Sequence, residues 1–97
     1  MGSIEEEFRD LSVVMGRTLI FRPADAITFV RRCREKQVKL LGLDAFHLDA
    51  DSIQPDMGAS IDLSLPVYSG QDLWTLAERF LDQRLESGLY FEVIVNE

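Results

Sequence analysis

Basic residues are missing from a long middle stretch of this chain. No lysine or arginine occurs between Lys39 and Arg79, yet the same stretch holds seven acidic residues: Asp44, Asp49, Asp51, Asp56, Asp62, Asp72 and Glu78. The whole chain has a net charge of −7 and a pI near 4.6, and such a field repels phosphate backbones. The charge disfavours nucleic acid as a partner and favours a basic protein, although it would equally serve solubility alone.

Cysteine and long apolar runs are scarce as well. Cys33 is the only cysteine, which excludes an intrachain disulfide and fits a reducing cytoplasm. No apolar run approaches the roughly 20 residues that cross a bilayer, and the acidic start does not resemble a secretory signal. We expect a cytoplasmic protein without membrane contact, folded as one domain over residues 1–97. The sequence leaves open whether Met1–Ser3 are ordered or an expression remnant.

Catalytic and metal-binding motifs are missing too. The chain has no glycine-rich phosphate loop, serine elbow or cysteine pair. Asp49-Ala50-Asp51 begins like a calcium loop, but Gln54 and Ser60 stand where that loop needs glycine and glutamate. We therefore expect no enzyme activity, no catalytic residue, no metal and no cofactor. The single histidine, His47, is expected to be structural or on the surface. Trp74 is either a core-edge residue or an interface anchor.

Apolar spacing and turn residues predict the elements. Helices are predicted over residues 4–15, 23–36 and about 71–87, strands over 18–21, 38–48, 60–65 and 89–95, and a loop over 49–58. Ser69 and Asp72 resemble a capping box for the last helix. The βαββαβ order after the first helix predicts an α+β, ferredoxin-like antiparallel sheet with both later helices on one face. Because the first strand is short, a three-stranded α+β variant is the alternative.

Two short segments resemble a known family. Leu40-Leu41-Gly42-Leu43-Asp44 follows a helix, and Leu85-Glu86-Ser87-Gly88-Leu89-Tyr90-Phe91 closes a helix and opens a strand. Together they resemble the immunity proteins of tRNA-cleaving colicins, small acidic proteins that inhibit a ribonuclease toxin. An apolar strand of that family carries a Gly-x-Asp motif, matched here by Gly42-Leu43-Asp44, and continues with two glycines where this chain has Ala45-Phe46. The resemblance implies an α/β inhibitor whose acidic surface mimics nucleic acid and blocks a basic cleft.

The charge pattern and the resemblance give one functional expectation. We expect a small acidic binding protein, an immunity protein that inhibits a cationic nuclease toxin by occluding its basic cleft. The expected partner-binding residues come from the central strand pair and its loop, and should form one negative surface: Asp44, Asp49, Asp51, Asp56 and Asp62. The alternative is a non-enzymatic interaction or self-associating domain, and homo-oligomer formation stays open.

Overall fold

The computed structural model describes residues 4–16 and 18–96, so the expectation about Met1–Ser3 lies outside the described residues. Three helices and five strands follow one another along the chain, with 3-10 turns at Arg9–Leu11 and Pro66–Tyr68. They are α1 (Ile4–Phe8), β1 (Val13–Met15), β2 (Thr18–Ile20), α2 (Pro23–Glu35), β3 (Lys39–Leu48), β4 (Ile53–Asp62), α3 (Leu73–Asp82) and β5 (Tyr90–Asn96). The predicted α+β class is confirmed.

The strands form two antiparallel sheets rather than one. The larger has the order β4-β3-β5, and β1 pairs with β2 in a separate hairpin. Among the described residues, the hairpin is joined to the larger sheet through Phe21, just after β2, whose N–H and C=O bond to Phe91 at 2.8 and 2.7 Å. The ferredoxin-like order is therefore not confirmed. The first predicted strand corresponds to β2, which is short and pairs with β1. The larger sheet is therefore left with three long strands.

The prediction of the first helix was wrong beyond Phe8. Residues 4–8 are helical, but Ser12 ends the following 3-10 turn by donating its N–H and hydroxyl to the carbonyl of Arg9 at 3.1 and 2.7 Å. The β-branched pair Val13-Val14 then forms a strand, as this residue type favours. Gly16, at φ +62°, turns the chain back into β2, and this left-handed conformation suits glycine.

The predicted loop at 49–58 was wrong too. Strand β4 already begins at Ile53, opposite Leu48, and the connecting turn is closed by the N–H of Asp49 bonding to the carbonyl of Ser52 at 2.9 Å. Pro55 is tolerated because β4 lies at the edge of the sheet. The ladder with β3 breaks after Asp56 and resumes at Ile61, so residues 57–60 form a wide bulge.

One face of the larger sheet carries the helices and the core. Phe91 of β5 is fully buried on that face and makes an edge contact with Phe80 of α3, with ring centroids 6.1 Å apart. Phe21, Phe29 and Phe8 continue the aromatic cluster towards α1 at centroid distances of 5.2 to 6.3 Å. Cys33 is buried in the same core, as the sequence predicts. No helix among the described residues is long and apolar enough to cross a membrane.

Helix α3 is shorter than predicted and contributes less buried surface. Its N-cap is Asp72, whose carboxylate accepts the N–H of Thr75 at 3.1 Å, so Ser69 lies outside the helix. Of the apolar residues in α3, only Ala77 and Leu81 are buried, and four others are partly exposed: Leu73, Trp74, Leu76 and Phe80. Trp74 is a core-edge residue, and its Nε1 donates to the carbonyl of Val38 at 2.9 Å.

Gly42 is the tightest point of the central strand. A Cβ built on it would lie 2.8 Å from the carbonyl oxygen of Ile61 on β4, closer than real Cβ contacts. We expect Gly42→Ala to push the two strands apart and to destabilise the protein by about 1–3 kcal/mol in urea unfolding. The matched control is Gly58→Ala, because a Cβ there meets the Asp56 carboxylate at an ordinary 3.5 Å. Equal unfolding midpoints for the two variants would contradict this account.

Candidate functional site

The sheet face opposite the helices carries three of the acidic residues. In an antiparallel ladder, directly opposed residues share a face and neighbours along the strand alternate. Leu43 and Ala45 point to the core, so Gly42 and Asp44 point away from it. Register then puts Asp62 opposite Gly42 and Glu92 opposite Asp44 on this same side. We call this side of β4, β3 and β5 the open face.

Asp44 and Glu92 form a like-charged pair across the open face. They are Cα partners in the β3–β5 ladder, and like charges directly opposite each other destabilise a sheet. Partial burial raises the pKa of Glu92 above its ordinary value, and the charges of Asp44 and Glu5 raise it further. The pair is therefore an unfavourable arrangement that a nearby positive charge would relieve.

Asp62 is held rigidly at the other side of the same face. Its Oδ1 accepts both the N–H of Ser64, at 3.0 Å, and the Ser64 hydroxyl. These hydrogen bonds lower the pKa of Asp62, because they stabilise the ionised form. Asp62 therefore presents a fixed, fully ionised carboxylate close to the end of β4.

An apolar groove lies between these acids. Its volume is about 340 Å³, and it is lined by residues of all three strands and by Ser64 beyond β4: Leu41, Gly42, Asp44, Met57, Ile61, Asp62, Ser64 and Ile94. Because Gly42 has no side chain, its backbone forms the bottom of the groove. Met57 from the bulge lies at the rim with 78% of its surface exposed. Asp44 and Asp62 are the charged residues of the lining.

The arginines of α2 form their ion pairs away from the open face. Three arginines of α2 form ion pairs with acids of α1, α2, α3 and the α3 cap: Arg31–Glu78 at 2.7 Å, Arg32–Glu7 at 3.1 Å, Arg32–Glu35 at 2.9 Å, Arg34–Glu78 at 3.7 Å, and Arg34–Asp72. Within residues 4–16 and 18–96, no lysine or arginine forms an ion pair with Asp44, Asp62 or Glu92. These three carboxylates of the open face therefore have no ion-pair partner within the described part of the chain.

Asp56 is separated from the other predicted acids by its role in the bulge. It lies opposite Ala45, on the helix side of the sheet, and its Oδ2 meets Nε2 of His47 at 2.8 Å. Its Oδ1 accepts the N–H of Ala59 at 3.2 Å. The hydrogen bond to His47 is the main cause of the lowered pKa of Asp56. The bulge is also closed by Ser60, whose hydroxyl bonds to the carbonyl of Asp56 at 2.8 Å.

Of the five predicted partner-binding residues, the structure brings only two into the groove. Asp44 and Asp62 line it together, whereas Asp49 and Asp51 are exposed in the β3–β4 turn at the far end of the hairpin. Asp56 is on the other side of the sheet, as described above. Whether any of these residues binds a partner stays a prediction. Among the described residues, no group of three or more His, Cys, Asp or Glu side chains has a metal-site arrangement.

Three features of the site and its surroundings were not predicted from the sequence. Gly42 was a signal by itself, because an isolated glycine within a strand often marks a close backbone approach. Glu92 alternates with the buried residues of β5, so its position on the open face could have been inferred. The His47–Asp56 pair spans nine residues of a hairpin with an irregular register, and no local pattern reveals it.

We expect Asp56→Ala to loosen the bulge without unfolding the sheet. The substitution removes the acceptor of the Ala59 N–H and the partner of His47. Hydrogen exchange at the Ala59 amide should accelerate about three- to tenfold, as for the loss of a single hydrogen bond. Asp49→Ala, in the exposed turn, is the control and should leave that amide unchanged. Unaltered exchange in Asp56→Ala would show that the carboxylate does not hold the bulge.

We expect Glu92→Gln to stabilise the protein at pH 7. Because the pKa of Glu92 is raised in the folded state, the folded protein keeps the Glu92 proton up to a higher pH than the unfolded chain does. This contribution therefore lowers stability as pH rises above the ordinary glutamate value of 4.5. The urea midpoint of the variant should exceed that of the wild type at pH 7 and match it at pH 3. Glu86→Gln, at an exposed site after α3, should shift neither midpoint.

Two comparisons of the sequence with known proteins were made. A scan against models of known protein families and a search of curated protein sequences both return no match. The function is therefore inferred from the geometry of the open face and from the sequence.

Proposed function

We propose that this chain is a non-enzymatic inhibitor: a small acidic, cytoplasmic immunity protein that occludes the basic cleft of a cationic nuclease toxin. The observation that supports the proposal is the pair of carboxylates that line the apolar groove, Asp44 and Asp62, with Glu92 opposite Asp44 on the same face. None of the three forms an ion pair with a lysine or arginine among the described residues. Sheet faces of this kind suit a broad protein surface better than a small substrate.

Charge complementarity supports a basic partner. The net charge of −7 gives the whole molecule an attractive field for a cationic protein, and the open face concentrates part of that charge at one surface. The unfavourable Asp44–Glu92 pair adds a local reason, because a cation bound there removes a repulsion that exists in the free protein. Binding and relief of this repulsion would then be coupled.

A second candidate function is self-association. Two exposed apolar side chains favour it: Met57 on the bulge and Val67 in the 3-10 turn after β4, exposed by 78% and 70%. Sedimentation equilibrium separates the two candidates. An inhibitor of the proposed kind is monomeric at micromolar concentration, whereas a self-associating domain forms dimers that Met57→Ser and Val67→Ser dissociate.

The test of the proposed function uses charge removal at constant shape. The variant Asp44→Asn, Asp62→Asn, Glu92→Gln should associate about tenfold more slowly than wild type with the cationic nuclease toxin that the protein inhibits, measured by stopped flow at low salt. The matched control, Asp10→Asn, Asp82→Asn, Glu86→Gln, removes the same charges from exposed sites elsewhere and should keep most of the rate. Raising the salt should narrow the difference between the variants.

Two results would overturn the proposal. One is equal slowing in both triple variants, which would mean that only net charge matters and that the open face has no special role. The other is full protection of toxin-expressing cells by the open-face variant at limiting expression, which would mean that these carboxylates do not contribute to inhibition.

A further inference from the structure

The groove on the open face has a composition that restricts what it can hold. Its floor is the backbone at Gly42, where a side chain would collide with the carbonyl oxygen of Ile61. Ile94 and the exposed Met57 supply apolar surface beside that floor. A long, thin and partly apolar group therefore fits the groove better than a group that is charged or bulky along its whole length.

The charged groups of the groove restrict the other end of the occupant. Asp44 and Asp62 line the same cavity from neighbouring strands, and Glu92 lies across from Asp44. Asp62 is held by two hydrogen bonds from Ser64, so moving its carboxylate away from the groove would break them. An occupant that ends in a positive charge complements this arrangement.

We propose that the groove takes one arginine side chain of a basic protein partner, with its aliphatic stem across Gly42 and Ile94 and its guanidinium between Asp44 and Asp62. The inference rests on the proposed function, since it names the group by which the partner is anchored. Arginine fits better than lysine because its planar fork can donate to two carboxylates at once and is weakly hydrated. Arginine is also enriched among residues that dominate protein interfaces.

Two other occupants fit less well. The groove itself supplies only two carboxylates, and no third ligand joins them in any metal-site cluster of the described residues, so a divalent cation would keep most of its water. An uncharged apolar group would fill the floor but would leave the carboxylates to be desolvated without a partner. Both remain outcomes that the experiment can detect.

The experiment is an NMR titration of the full chain with N-acetyl-arginine amide as the probe. The amide signals of Gly42, Asp44 and Ile94 should shift together and saturate. N-acetyl-norleucine amide has the stem without the charge, and guanidinium chloride has the charge without the stem. At equal ionic strength, both should bind about tenfold more weakly than the arginine probe. Shifts spread evenly over all acidic residues, or equal affinity for guanidinium alone, would overturn the inference.

Variants of the protein show which residues bind the aliphatic stem of the probe and which bind its guanidinium group. Met57→Ala removes apolar rim surface at a site that is 78% exposed, so the fold should tolerate it. Arginine affinity should fall in this variant, and guanidinium affinity should not. Asp44→Asn with Asp62→Asn should abolish the localised shifts, whereas the control pair Asp10→Asn with Asp82→Asn should keep them. Localised binding that survives the Asp44, Asp62 double variant would contradict the inference.

The outcomes separate this inference from the proposed function. Suppose that arginine binding is localised but the open-face triple variant associates normally with the toxin. This result would support arginine binding in the groove and overturn the inhibitor role. If the open-face triple variant associates more slowly with the toxin but no localised arginine binding is observed, the inhibitor role is kept. In that case the open face would act only through its long-range field, and the arginine anchor would be wrong.

Discussion

The close approach of Gly42 to Ile61 is the constraint on which the open face depends. Strand β3 has a neighbour on each side, and both ladders change register within a few residues of this point, between Leu40 and Gly42 towards β5 and between Leu43 and Ala45 towards β4. A side chain at Gly42 would separate the strands. The two irregularities also shape the groove, because they push Leu41 and the bulge residue Met57 to its margins.

Charge is divided between the two sides of the molecule. The arginines of α2 hold the three helices together through ion pairs, although exposed pairs of this kind stabilise a protein only slightly. Because their partners lie in and beside the helices, they leave Asp44, Asp62 and Glu92 without a lysine or arginine ion pair among the described residues. A like-charged pair such as Asp44–Glu92 lowers stability, and proteins keep such features as long as the total stability stays sufficient.

The sequence predicted elements better than it predicted their partners. Helix α2, strand β3 and strand β5 were found because their apolar residues follow a simple period, and the buried position of Cys33 followed from the same pattern. The hairpin of β1 and β2 was missed because Ile4, Phe8 and Leu11 continue a helical spacing that Ser12 ends through its own hydrogen bonds. The candidate site was found only in part. Asp44 and Asp62 share a face because of register, and two bulges make register impossible to count from the sequence.

Strand β4 has a consequence for how this chain behaves at high concentration. A ten-residue strand at the edge of a sheet exposes backbone groups that can recruit another chain and start aggregation. Here Pro55 has no N–H to offer, and residues 57–60 leave the plane of the ladder, so no long regular stretch of edge is available. The bulge that frames the groove therefore also makes the β4 edge a poor template for pairing with another chain.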